Sequence, residues 1–266
     1  MKRVCLTRCS GIRRFLLLLL LSGLAPAWGQ EEVPVVRTLD KERQGRTLFL
    51  NPDFLLFPAE AKKGSQLPVL IYLHGGGGVG DDLGKIRGQA RRVGSGIRKF
   101  RKEPCLVVAP QCLRDTPKGR GTWTPEDLDV FLEHVKATLP VDEKRIYLTG
   151  NSMGGYGCWV WGGHRPGHFA AIAPVVGGIG RGGPKAVTED LAKWAANLAR
   201  VPVYAFAGAR DRVVPAERSE RMIAAIRKSG GKLARLKVYP NEGHGAGQIV
   251  FSTTEMYDWM FSQKRD

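Results

Sequence analysis

Short apolar segments alternate with segments of helical periodicity along most of this chain. The apolar segments are continuous and rich in Val, Ile and Tyr, which is typical of strands buried on both faces. They cover residues 67–74, 105–110, 145–150, 169–177, 201–208 and 236–240. Helical periodicity is found at 124–139, 215–231 and 248–262. This alternation predicts an α/β fold with one mostly parallel sheet and helices on both faces.

Local residues support two of these helices and the ends of the sheet. Thr124 suits an N-cap and Pro125 the first helical position, while 215–231 begins with proline and ends in glycine. The segment 46–58 precedes the first parallel strand and predicts antiparallel edge strands. Residues 178–200 are glycine-rich but too few for a large lid.

The first 29 residues have the layout of a secretory signal peptide. Five basic residues precede or flank a short apolar core at Leu16–Leu21, and Ala27-Trp28-Gly29 offers a cleavage site. The apolar run is shorter than the ~20 residues that span a bilayer, although a retained anchor is the alternative. We therefore predict a signal at 1–29, a single catalytic domain at 30–266, and export to the periplasm or the extracellular space.

Charge and cysteine content exclude some classes of protein. The formal net charge of +16 falls to about +11 when the five basic residues of the signal are subtracted. The charges are scattered and form no recognisable nucleic-acid module, so we predict a solvated basic surface and no nucleic-acid partner.

Three cysteines, Cys105, Cys112 and Cys158, lie outside the predicted signal, and an odd number argues against a disulfide framework. A Cys105–Cys112 bridge stays open if the chain folds back after Pro110, and Cys158 is expected to be a buried small hydrophobe.

The segment "LTGNSMGGYG" (148–157) carries the clearest chemical signal. Gly150-Asn151-Ser152-Met153-Gly154 matches G-x-S-x-G between a predicted strand and a helix. In this context the glycines allow a sharp turn that lifts the serine hydroxyl above the sheet. We predict that Ser152 is a nucleophile.

A nucleophilic serine needs a base and an acid that orients the base. His244 follows the last strand in a glycine-rich loop, and Asp211 follows the strand 201–208, which gives the order Ser, Asp, His. Glu242 and Asp258 are weaker candidates for the acid. A surface histidine at 244 and a helix-entry aspartate at 211 are the non-catalytic alternatives.

Two backbone N–H groups are candidates for an oxyanion hole. One belongs to Met153, directly after the nucleophile. The other belongs to Gly76, with Gly77 as second choice, in "LHGGGGVGDD" (73–82). His74 is then expected to shape this loop and not to act as the base.

From about residue 65 onward the chain resembles the α/β-hydrolases, near polyhydroxybutyrate depolymerases, feruloyl esterases and prolyl oligopeptidases. "YLHGGGG", "DEKRIYLTGNSMGGYG", "FAAIAPVVGG", "GARDRVVP" and "EGHG" carry the resemblance. It implies Ser152, Asp211 and His244 as a catalytic triad, with Gly76 and Met153 as backbone oxyanion donors. The four-glycine run departs from relatives that carry a larger residue there, which affects the shape of the acyl pocket.

The sequence is less consistent with cofactor or metal chemistry than with catalysis by a serine nucleophile. Two G-x-G-x-x-G matches, at 75–80 and 178–183, lack the acid that a dinucleotide ribose requires at the end of the next strand. His164 and His168 are separated by Pro166 and Gly167, which break a shared helical face. We therefore expect no cofactor and no metal.

These observations predict an exported serine esterase that cleaves carboxylic esters through an acyl-enzyme. The expected partner is a small-molecule or polymer-borne ester, without stable membrane insertion after signal cleavage, and the oligomeric state is open. A prolyl oligopeptidase-like serine peptidase and a non-catalytic binding protein on a hydrolase fold are the alternatives. Trp123 and Tyr156 are either pocket walls or core aromatics.

Overall fold

The apolar segments of the sequence form a central sheet. The computed structural model describes residues 33–117 and 119–266, so the predicted signal peptide lies outside the described residues. The described strands are β1 (Val35–Thr38), β2 (Asp53–Phe57), β3 (Leu67–Leu73), β4 (Leu106–Ala109), β5 (Asp115–Thr116), β6 (Gly119–Arg120), β7 (Val141–Asn151), β8 (Ala171–Val175), β9 (Val203–Gly208) and β10 (Ala234–Tyr239).

The main sheet of the described residues has the order β1-β2-β4-β3-β7-β8-β9-β10. Six neighbouring strands are parallel, in the spatial order β4, β3, β7, β8, β9 and β10. At the edge beside β4, β2 pairs antiparallel with β4, and β1 pairs antiparallel with β2. The prediction of edge strands within 46–58 is right for β2 and wrong for β1, which comes from earlier residues. All four residues of β1 are exposed, so the strand has no alternation of buried and exposed positions that the sequence could show. The strand is defined by its antiparallel pairing with β2.

Helices cover both faces of the sheet, as predicted. They are α1 (Lys41–Gln44), α2 (Gly84–Phe100), α3 (Pro125–Thr138), α4 (Met153–His164), α5 (Leu191–Leu198), α6 (Glu217–Lys228), α7 (Gly247–Val250) and α8 (Glu255–Phe261). Along β3, Ile71 belongs to the core cluster that includes residues of α3, α4, α5 and α6, and its neighbour Leu70 belongs to the core cluster that includes residues of α2 and α8. The alternation follows from the two-residue period of a strand.

Local sequence correctly predicts the start of α3, but it does not predict the break between α7 and α8. The Thr124 side chain accepts from the Asp127 N–H, and Pro125 opens α3, as expected. The single helix predicted at 248–262 is wrong, because the chain breaks between α7 and α8. At this break the Tyr257 hydroxyl donates to the Phe251 carbonyl at 3.1 Å. The break itself includes the exposed polar residues Ser252, Thr253 and Thr254.

The segment 178–200 contains α5 and a glycine-rich loop, and the α/β-hydrolase architecture has no large lid among its described residues. No helix in the described part of the chain combines the length and the apolar character that crossing a membrane requires.

Candidate active site

Ser152 lies in a sharp turn between β7 and α4. Its backbone has φ 58° and ψ −112°, a conformation that L-residues rarely adopt. Such strain costs about 1–3 kcal/mol and persists where the surrounding structure imposes it. Here the Ser152 N–H donates to the Val175 carbonyl at 2.9 Å, and the Ser152 carbonyl accepts from the Tyr156 N–H at 3.0 Å. The turn is therefore held from both sides.

Glycine is required on either side of this serine because backbone atoms come very close. A Cβ at Gly154 would lie 1.9 Å from the Leu73 carbonyl oxygen. A Cβ at Gly150 would lie 2.5 Å from the Gly154 carbonyl oxygen. Both distances are shorter than van der Waals contact, so β3, β7 and α4 meet at their observed spacing only without these side chains.

Asp211 and His244 are carried by loops that follow the neighbouring parallel strands β9 and β10. The two loops are bonded to each other, since the Arg210 N–H donates to the Glu242 carbonyl at 2.8 Å. Because parallel strands end at the same edge of a sheet, both loops lie at the edge where Ser152 follows β7. Residues far apart in the chain are thus brought together.

These side chains form a continuous chain of hydrogen bonds. His244 Nδ1 lies 2.8 Å from Asp211 Oδ2, and His244 Nε2 lies 2.8 Å from Ser152 Oγ. An ionised carboxylate can only accept, so the ring hydrogen is on Nδ1. The Nε2 lone pair then accepts from the Ser152 hydroxyl, which is the arrangement that a general base requires.

The Asp211 carboxylate is held by two further hydrogen bonds. Its Oδ1 accepts from the Val213 N–H at 2.8 Å and from the Val214 N–H at 2.9 Å. The Asp211 side chain is 0% exposed, whereas the His244 side chain is 30% exposed. The carboxylate is thus fixed and shielded from water, while the imidazole reaches the solvent-facing side.

The glycine loop and the start of α4 lie beside the serine. Gly76 is in a 3₁₀ turn at Gly76–Gly78, Met153 is the first residue of α4, and both line a cavity next to Ser152. The first N–H groups of a helix have no carbonyl partner within it and carry partial positive charge. A Cβ at Gly76 would meet no atom within 4 Å. The four-glycine run therefore leaves this position open.

The buried His74 side chain contacts the backbone of the glycine loop and of the segment after β4. Its Nδ1 lies 2.7 Å from the Gly75 carbonyl oxygen, and its Nε2 accepts from the Cys112 N–H at 3.0 Å. Burial lowers the pKa of His74 to about 4, so the ring is neutral near pH 7. These contacts fit a residue that shapes the loop.

Gln111 is a second support of this loop that sequence reasoning missed. Its Nε2 donates to the Gly78 and Asp82 carbonyls, both at 2.8 Å, and its Oε1 accepts from Asn51 at 2.9 Å. Gln111 is fully buried. The available signal was a polar residue directly after the apolar segment 105–110.

Two cavities meet at Ser152. One of about 310 Å³ is lined by Tyr72 and Arg92, and by His244. The other, of about 450 Å³, is lined by Tyr156 and the glycine-rich loop after β8. Ser152 and Gly76 line both cavities. An ester carbonyl at Ser152 would therefore have separate space for its acyl part and its alcohol part.

The structure decides between the alternatives left open for Trp123, Tyr156 and the three cysteines. Trp123 is 1% exposed and packs against His74 with ring centroids 4.8 Å apart, so it is a core residue. Tyr156 lines the second cavity. Cys105, Cys112 and Cys158 are buried free thiols, and burial raises the pKa of each. The described residues contain no group of three His, Cys, Asp or Glu side chains placed to hold a metal ion.

Comparison with known proteins assigns the chain to a protein family. The sequence profile of the dienelactone hydrolase family matches residues 116–248, half of the chain. The chain belongs to the dienelactone hydrolase family. The matched part holds Ser152, Asp211 and His244, while Gly76 lies before it.

Individual relatives agree with this placement in the dienelactone hydrolase family. A candidate carboxymethylenebutenolidase of Methylorubrum extorquens is 32% identical over 121 residues, which are 44% of this chain and 40% of the relative. The chain thus aligns with less than half of that relative's length. The crystal structure of a thermostable esterase superposes with a TM-score of 0.71 at 25% identity, over 87% of this chain and 63% of the esterase.

A candidate dienelactone hydrolase from Klebsiella pneumoniae superposes with a TM-score of 0.61 at 20% identity, covering 86% of this chain and 96% of that chain. At this identity the likeness concerns the fold alone, and it agrees with the α/β-hydrolase fold expected from the sequence.

Proposed function

We propose that this dienelactone hydrolase family member is a serine esterase that cleaves carboxylic esters through an acyl-enzyme. The observation that carries the proposal is the hydrogen-bonded chain from Asp211 through His244 to Ser152, with both distances at 2.8 Å. The strained turn at Ser152 and the two cavities that meet there support it.

Each group has a defined task in the proposed reaction. His244 Nε2 takes the hydroxyl proton as Ser152 Oγ attacks the ester carbonyl, and Asp211 stabilises the imidazolium that forms. The N–H groups of Gly76 and Met153 donate to the oxyanion, each contributing about 3 kcal/mol. The imidazolium then returns its proton to the leaving alcohol. A water molecule, deprotonated by His244, hydrolyses the acyl-enzyme and regenerates Ser152.

The test compares Ser152→Ala with Ser229→Ala, which changes an exposed serine at the end of α6. With p-nitrophenyl acetate we expect Ser152→Ala to lower kcat at least about a thousandfold, and Ser229→Ala to leave it unchanged. A fluorophosphonate probe should give one adduct, located at Ser152 by mass spectrometry. Unchanged turnover in Ser152→Ala, or labelling at another serine, contradicts the proposal. Faster cleavage of a peptide anilide than of matched esters favours the peptidase alternative.

We also propose that the chain is exported, with residues 1–29 as the signal. Its support is the basic and apolar pattern of that segment alone. Fractionation of cells expressing the full chain should place a shortened protein outside the cytoplasm. A full-length product that stays in the cytoplasm contradicts this part of the proposal.

A further inference from the structure

The helix α2 carries charge of one sign only. Its 17 residues include six basic side chains and no acidic one, whereas α3 and α6 each carry both signs. All six basic residues are exposed, and they are Lys85, Arg87, Arg91, Arg92, Arg98 and Lys99. The buried side of α2 belongs to the core cluster on its face of the sheet. The exposed side, called the basic face of α2 below, therefore presents these six residues to the solvent.

The basic face of α2 has its cations in two rows along the helix. The rows are Lys85, Arg92 and Lys99 on one side, and Arg87, Arg91 and Arg98 on the other. Seven residues make almost two helical turns, so members of the first row follow one another at about 10.5 Å. Only small residues lie between the rows, and at Gly88 a Cβ would meet no atom within 4 Å. An extended ligand thus has open space between two lines of positive charge.

Half of these cations have no carboxylate partner and lie away from the candidate active site. Lys85, Arg87 and Lys99 form no ion pair with the part of the chain that the structure describes. A polyanion that pairs with them breaks no ion pair of the protein. Because exposed ion pairs are individually weak, appreciable affinity requires a ligand that makes several at once.

Carboxylates at both ends of α2 restrict the shape of the partner. Asp81 and Asp82 are exposed directly before the helix, and beyond its last residue Asp258 is exposed and pairs with Arg101 at 3.1 Å. A flat anionic membrane would meet these carboxylates together with the cations. The basic face of α2 also has no large exposed apolar side chain to enter a membrane, and no aromatic between its rows to stack on a base. A linear polyanion along the helix meets the cations alone.

We propose that the basic face of α2 binds a linear anionic polysaccharide, whose sulfate or carboxylate groups pair with the two rows of cations. The helix is about 25 Å long, so the chain must be several sugar units long to reach both ends. Binding holds the protein on the polymer. The inference goes beyond the proposed function, since it requires no hydrolysis at Ser152.

The test measures binding of the full chain to three polymers with one backbone, which are dextran, dextran sulfate and carboxymethyl-dextran. One triple variant removes cations of the basic face, with Lys85→Gln, Arg87→Gln and Lys99→Gln. Arg92 is kept because it lines the first cavity. The control triple removes the same residue types from exposed positions on or just after α6, which packs on the other face of the sheet, with Arg221→Gln, Lys228→Gln and Lys232→Gln.

We expect both charged dextrans to bind and dextran not to bind. The triple variant of α2 should raise Kd about tenfold in about 50 mM NaCl, while the control triple should raise it less than about threefold. The difference should shrink as salt is added, because salt screens exposed charges. Thermal unfolding verifies that both variants are folded.

Several results would overturn the inference. They are equal weakening by the two triples, equal binding of dextran and the charged dextrans, and no binding of either charged dextran. Tighter binding, per anionic group, to phosphatidylglycerol vesicles or to duplex DNA assigns the basic face of α2 to a membrane or to nucleic acid, and also overturns it. Hydrolysis of p-nitrophenyl acetate is measured separately. Its loss in wild-type protein would contradict the proposed function and leave this inference intact.

Discussion

Replacing Asp211 by asparagine separates the orientation of His244 from the stability of its loop. In Asp211→Asn the amide oxygen can still accept from the Val213 and Val214 N–H groups, as the carboxylate Oδ1 does. The amide nitrogen then faces His244 Nδ1 and donates to it. This forces the ring hydrogen onto Nε2, which can no longer accept the Ser152 proton.

The expected loss in kcat is about 10⁴-fold, equivalent to about 5.5 kcal/mol of transition-state stabilisation. The free energy of unfolding should change little, because the two backbone N–H groups keep their acceptor. Asp211→Ala is the matched comparison. It leaves both N–H groups unpaired, at about 1–3 kcal/mol each, and should therefore lose stability as well as activity.

The assay is hydrolysis of p-nitrophenyl acetate, paired with urea unfolding of each variant. Asp211→Asn activity within tenfold of wild type would refute the reasoning about the histidine tautomer. A loss of stability in Asp211→Asn equal to that in Asp211→Ala would refute the reasoning about the two N–H groups.

Two further predictions concern the supports of the site. His74 has a pKa lowered to about 4 by burial, so the unfolded chain binds more protons between about pH 6.5 and 4. Its share of the free energy of unfolding should fall by up to about 3 kcal/mol as the pH drops through that window, and His74→Gln should lack it. Equal pH slopes in urea unfolding would contradict this. Gly154→Ala should cost about 3 kcal/mol or more, because its Cβ would lie 1.9 Å from the Leu73 carbonyl oxygen. Gly88→Ala, where a Cβ meets nothing within 4 Å, should stabilise α2 by up to about 1 kcal/mol. Similar melting temperatures for the two alanine variants would refute the steric argument.

Much of the fold follows from local patterns. The strands β3, β4 and β8 are visible as apolar segments because both faces of each strand are buried, whereas β10 at the edge of the sheet is mostly half-buried. The helix α3 is marked by Thr124 and Pro125, whose effects on a helix start are local. The residues Ser152, Asp211 and His244 could be chosen from the sequence because each follows an apolar segment. Strands of a parallel sheet deliver such residues to one edge.

Other features depend on packing between distant segments. The helix α2 contains several glycines, which lower its intrinsic helix propensity. At Gly96 a Cβ would lie 2.2 Å from the Tyr257 hydroxyl, so the glycine is needed for α8 to pack closely. No local pattern reports a neighbour that lies 161 positions away in the chain.

The sequence by itself determined the six parallel strands, the sharp turn at Ser152 and the loops that carry Asp211 and His244. These depend on periodic burial and on steric demands within a few residues. The tertiary structure alone decided that Gln111 supports the glycine loop and that Arg92 and Arg181 line the two cavities that meet at Ser152. Such groups are surface or loop residues in sequence, and only the packing of separate elements gives them a shared site.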